Sequence, residues 1–105
     1  MTTDVIRVLL ADDHRVVRAG LRAVLGTARD ISVVGEANNG REAVEMAAHL
    51  RPDVVVMDVA MPEVDGISAT KEIIAAGHGS RVLFLSMHAE QEYLVPVMEI
   101  GRAHV

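Results

Sequence analysis

The sequence predicts an α/β fold, a parallel sheet with helices on both faces. Two observations carry this: patches of β-branched residues alternate four times with stretches of helical periodicity, and the connections between them are short. A third agrees: half of the 105 residues are hydrophobic, yet only Tyr93 and Phe84 are aromatic. The core must therefore come from Val, Ile, Leu, Met and Ala. The length allows one domain with one core.

Ile6 to Ala11 reads as the first strand. Val17, Leu21, Val24 and Leu25 then fall at helical spacing, with Arg15, Arg18 and Arg22 on the other, solvated side. Ile31 to Ala37 reads as the second strand, after which Asn38 or Asn39 caps a helix from about Gly40 to Leu50, ended by Arg51 and Pro52. Val54 to Asp58 is the third strand. Asp65 and Gly66 open a third helix carrying Ile67, Ile73 and Ile74, and Arg81 to Ser86 is the fourth strand. Glu90 to Glu99 reads as a fourth helix that Pro96 must kink or shorten, because proline removes one helical hydrogen bond.

Ten basic and fifteen acidic side chains give a net charge of −5, which argues against nucleic-acid binding by this segment. No cysteine is present, so disulfides and thiolate metal sites are excluded. The opening MTTDVIRV lacks the succession of a signal peptide, and no apolar run approaches bilayer length. A soluble, cytoplasmic protein is expected, with no membrane partner.

In a parallel βαβ sheet, ligands belong at the C-terminal ends of the strands. Asp12 and Asp13 follow the first strand, Asp58 closes the third and Ser86 closes the fourth. Taken singly, each has a helix-capping explanation. Together they bring three carboxylates to one rim, where mutual repulsion calls for a hard divalent cation or for proton uptake. Mg²⁺ is the natural candidate, since it needs only one or two carboxylates and leaves room for a phosphoryl oxygen. Asp58 can then act as a nucleophile toward phosphorus. The five histidines, His14, His49, His78, His88 and His104, show no metal-site spacing on one helix face and are expected to have ordinary roles. Met57 and Met61, which flank Asp58, are expected to fill gaps in the core.

ADDHRVVRAGLRAVL, DVVVMDVAMPEVDG and VLFLSMH resemble the acidic pair, phosphoacceptor strand and hydroxyl-bearing strand end of the receiver domains of two-component response regulators. DDH followed by VRAGL is similar to the branch carrying a C-terminal LuxR-type helix-turn-helix. The resemblance covers residues 6 to about 99. It implies a flavodoxin-like sheet of strand order 2-1-3-4 and phosphorylation of Asp58 by a sensor histidine kinase. It further implies Mg²⁺ held directly by Asp13, Asp58 and the backbone carbonyl of Ala60, with Asp12 acting through a water. Ser86 would hydrogen-bond the new phosphoryl group and act as the switch, and the parent protein would bind DNA through a separate effector domain. No turnover enzyme is implied: an aspartate-dependent phosphohydrolase needs a second Asp where Ala60 stands.

The family's fifth strand, its following lysine and its fifth helix have no counterpart before Val105, and IGRAHV, residues 100–105, reads as a non-native tail. The native gene is expected to continue past Glu99. On that reading the fourth strand is an unpaired edge, the apolar side of the first helix loses its cover, and phosphoryl transfer is impaired. The alternative function is a degenerate receiver that works as a phosphorylation-independent interaction module.

Overall fold

In the computed structural model, which describes residues 5–59, 61, 64–86 and 95–100, the elements follow one another as β1 (Ile6–Ala11), α1 (Arg15–Leu25), β2 (Ile31–Ala37), α2 (Gly40–Leu50), β3 (Val54–Asp58), α3 (Gly66–Ala75), β4 (Arg81–Ser86) and β5 (Val95–Ile100). The sheet order is β2-β1-β3-β4-β5. Its first four strands are mutually parallel, in the order 2-1-3-4 predicted from the family resemblance. The chain moves outward from β1 to β2, then crosses back over β1 to β3. Right-handed crossovers therefore put α1 on one face and α2 with α3 on the other, and create a switch point between β1 and β3.

The fourth helix expected over Glu90 to Glu99 is corrected. Residues 95–100 form β5, antiparallel to β4, with Leu85 opposite Pro96 and Ser86 opposite Val95; residues 90–94 lie outside the described residues. Pro96 cannot donate a helical hydrogen bond, but at the edge of a sheet its missing N–H costs little, and Val95, Val97 and Ile100 are β-branched. The sheet thus does not stop at β4, and β4 is not an unpaired edge. Ile100, assigned above to the tail, is the last residue of β5; residues 101–105 lie outside the described residues.

The core fills the α2–α3 side. Leu9, Ala11, Val55, Met57, Val82 and Phe84 project from alternate strand positions onto Ala43, Ala47, Ala69 and Ile73 of the helices. Met57 and Met61 are both buried there, as expected of gap fillers. Small residues let the elements close up. At Gly40, the first residue of α2, a Cβ would run into the Val64 carbonyl oxygen. Asn39 caps α2, its Oδ1 accepting the Glu42 N–H at 2.8 Å, and Arg51 ends that helix in a left-handed conformation with φ 48°.

The α1 side departs from its amphipathic reading. Val17, Leu21 and Leu25 are half-buried, but Val24 is 68% exposed and Val16 83%. Arg18, predicted on the solvated face, is 8% exposed. A long arginine stem can reach inward while its head finds polar partners. No helix among the described residues is long and apolar enough to cross a membrane.

Candidate functional site

Register explains how the carboxylates meet. Ala11 of β1 pairs with Met57 of β3, so the next residues, Asp12 and Asp58, leave neighbouring strands at the same level. Adjacent strands lie about 4.8 Å apart, which sets the spacing of groups at that level. Asp12, Asp13, His14 and Asp58 each offer one ligand atom, and those atoms all lie within 4.8 Å of one another. Asp12 and Asp58 are buried, while Asp13 and His14 face solvent. Asp58 pairs with Leu85 in β4, so Ser86 stands one residue beyond on the same rim. The Ser86 side chain and Ala60 lie outside what is described.

Repulsion within the cluster is substantial. Two unit charges 4.8 Å apart repel by roughly 3.5 kcal/mol at an effective dielectric of 20. His14 relieves part of it. Its Nδ1 lies 3.0 Å from Asp12 Oδ1 and 3.1 Å from Asp13 Oδ1, and its backbone N–H donates to Asp12 Oδ1 at 2.7 Å. The hydrogen bond to Asp12, then the charges of Asp13, Asp12 and Asp58, hold the imidazole above its ordinary pKa of 6.5. Sequence reasoning gave His14 an ordinary surface role. Its imidazole, 62% exposed, lies in the contiguous Asp12–Asp13–His14 turn beside Asp58 of another strand.

Both main-chain groups of Asp12 are engaged. Its N–H donates to the Ala37 carbonyl at 3.1 Å, and its carbonyl accepts from the Arg18 guanidinium. Arg18 Nε also donates to Glu36 Oε1 at 3.2 Å, and Glu36 Oε2 accepts from Arg22 at 2.8 Å. At the other strand, Gly66 begins α3 against the Asp58 carbonyl, with Asp65 capping that helix through the Ser68 N–H at 2.8 Å.

The model of the response regulator receiver domain matches residues 8–105. The chain belongs to that family. The transcriptional regulatory protein YhcZ of Bacillus subtilis is 42% identical over 96 residues, an overlap covering 91% of this chain and 45% of YhcZ. Transcriptional regulatory protein LiaR of the same organism is 45% identical over 96 residues, covering 91% of this chain and 46% of LiaR. Among solved structures, a LuxR-family two-component response regulator from Aurantimonas sp. SI85-9A1 superposes with a TM-score of 0.76 at 36% identity, covering 81% of this chain and 61% of that one. The chain spans a little under half the length of these two curated relatives, 45% and 46%.

Proposed function

We propose that this receiver is phosphorylated on Asp58 by a sensor histidine kinase and that the modification regulates transcription through a DNA-binding effector domain of the whole protein. The supporting observation is the gathering of Asp12, Asp13 and Asp58 oxygens within 4.8 Å at the sheet's carboxyl edge.

The donor set fits Mg²⁺. Every carboxylate offers a hard oxygen, and octahedral Mg–O bonds of about 2.1 Å put cis ligands roughly 3 Å apart and trans ligands roughly 4 Å apart. The observed spacing needs only small adjustment, or one water. Asp13, Asp58 and the Ala60 backbone carbonyl would bind directly, with Asp12 acting through a water. Once bound, the cation would offset negative charge on the transferring group. Asp58 does the bond-making. One carboxylate oxygen attacks phosphorus, the O–P bond forms, and the N–P bond of the donor's phosphohistidine breaks. The imidazole leaves with the electron pair and takes up a proton from solvent.

The new group adds about −1.5 to −2 charges and three acceptor oxygens. Ser86, at the end of β4, would donate a hydrogen bond to it and draw in the chain that follows. That bias between two arrangements, differing by a few kcal/mol, is the output. The chain's chemistry is confined to its own modification, and the setting is cytoplasmic.

Incubation with Mg²⁺ and a small-molecule phosphodonor, followed by intact mass, tests the reading. One hydroxylamine-labile phosphate adduct, absent in Asp58→Asn, supports it. Continuous release of phosphate with no adduct would indicate a hydrolase. No adduct on folded protein would indicate a phosphorylation-independent interaction module.

A further inference from the structure

We infer that Arg18 is a positioning residue for the acidic cluster: by holding the Asp12 carbonyl it fixes the peptide between Asp12 and Asp13, and so the direction from which both carboxylates approach Asp58. The inference rests on the reading of the cluster as a divalent-cation site.

Three observations carry it. First, Arg18 is 8% exposed although it is permanently charged, and burying a charge is costly unless it is paired and hydrogen-bonded. Second, its bonds go in two directions from one planar group: Nε donates to Glu36 Oε1, and a terminal nitrogen donates to the Asp12 carbonyl. Third, the N–H of Asp12 is already held by the Ala37 carbonyl of β2. With both main-chain groups pinned, the peptide leading into Asp13 has little freedom to rotate.

The charge arrangement suits that task. Glu36 lies on β2, opposite Leu10 of β1, and takes Arg18 on one oxygen and Arg22 on the other. Arg18 thus shares its carboxylate partner, which lies outside the cluster, with Arg22. The bond of Arg18 into the cluster goes to the Asp12 main-chain carbonyl and supplies geometry there. Lysine cannot replace it, since an ammonium lacks the rigid fork that spans two acceptors at a fixed angle. Groups that orient metal ligands typically contribute 10- to 100-fold in metal affinity.

The test is Mg²⁺ affinity by calorimetry, with Mn²⁺ binding by electron paramagnetic resonance as a second readout. The full chain is compared with Arg18→Lys, Arg18→Met and Glu36→Gln, each checked for folding by thermal transition. Both Arg18 variants are expected to bind roughly 10- to 100-fold more weakly. Glu36→Gln, which keeps the guanidinium but loosens its anchor, should lose less, and its loss should not add to that of Arg18→Met. A purely electrostatic role predicts the opposite pattern: tighter binding in Arg18→Met and unchanged binding in Arg18→Lys. That pattern overturns the inference, as does wild-type affinity in folded Glu36→Gln, the variant that carries the test if the Arg18 changes unfold the chain. Wild-type protein that binds neither ion overturns the cation reading itself, a result distinct from either.

Discussion

Gly66 lies with its Cα against the main-chain carbonyl of Asp58, so close that a Cβ at position 66 would penetrate that oxygen. Its N–H donates to the Val59 carbonyl at 3.0 Å, so α3 starts directly on the strand end that carries the site. The obstacle is backbone, which cannot swing aside as a side-chain tip can. Gly66→Ala should therefore cost about 1–3 kcal/mol, the usual range for forcing extra volume into a packed site. Urea unfolding would show a lower midpoint at unchanged slope. Because the strain falls on the Asp58 peptide, the variant should also accept phosphate more slowly from a small-molecule donor. A wild-type rate would mean that the Asp58 position is not set by this contact.

At the opening of α2, the Asn39 side chain caps the helix and the Glu42 side chain reaches back to Asn38, the residue before the cap. Asn39 Oδ1 accepts the Glu42 N–H at 2.8 Å, and Glu42 Oε1 accepts the Asn38 N–H at 2.8 Å. The first bond satisfies one of the donors that an isolated helix start leaves unpaired, and the second ties down the chain entering the cap. Asn39→Ala should destabilise by about 1 kcal/mol, and Asn39→Gly by only a few tenths. Denaturant midpoints of the two variants would separate the lost side-chain acceptor from backbone effects.

The cap of α2 was legible in the sequence to within one residue, Asn38 or Asn39, because a cap is a local event. So were β1 to β4, short apolar runs whose bounds the structure reproduces. Asp12, Asp13 and Asp58 were legible as strand-end carboxylates, although the pairing of Ala11 with Met57 that brings them together is a register, which no single segment encodes. The errors arose where local pattern and tertiary context disagree. Glu90 to Glu99 reads locally as a helix interrupted by Pro96, whereas residues 95–100 pair antiparallel with β4. Arg18 looked solvent-facing because its charge was weighed without a partner. Its partner, Glu36, is eighteen positions away on another element.

Asp65 gives the fold a pH dependence with a definite sign. The Ser68 backbone N–H at the start of α3, helped by the Ser68 hydroxyl, the Ile67 N–H and the charge of Lys71, holds its carboxyl below the ordinary value of 3.8. A depressed folded-state pKa means that the unfolded chain takes up the proton first. The stabilisation is therefore complete above the ordinary aspartate range and is lost as pH falls through the folded value. Asp65→Asn keeps a capping oxygen and removes the titration. Wild type should be the more stable of the two at neutral pH, and the gap between their unfolding midpoints should close in acid. A gap that stays constant from neutral to acidic pH would assign the difference to some other contact.

Divalent cation should stabilise the folded chain, because the unfolded chain does not hold Asp12, Asp13 and Asp58 together. A ligand at ten times its Kd contributes about 1.4 kcal/mol through RT ln(1 + [L]/Kd). For a domain of this size that is a rise in Tm of roughly 5–10 °C. Screening by added salt also weakens repulsion among the carboxylates, so the comparison must be made against NaCl at equal ionic strength. Asp13→Asn is the informative variant: the side chain is 31% exposed, so removing its charge changes a ligand without opening the core. In that variant the increment from Mg²⁺ should largely vanish, and chelation should return wild type to its cation-free midpoint. An equal rise with Mg²⁺ in both proteins would place the stabilising ion away from Asp13, and the acidic turn after β1 would then lose its part in binding it.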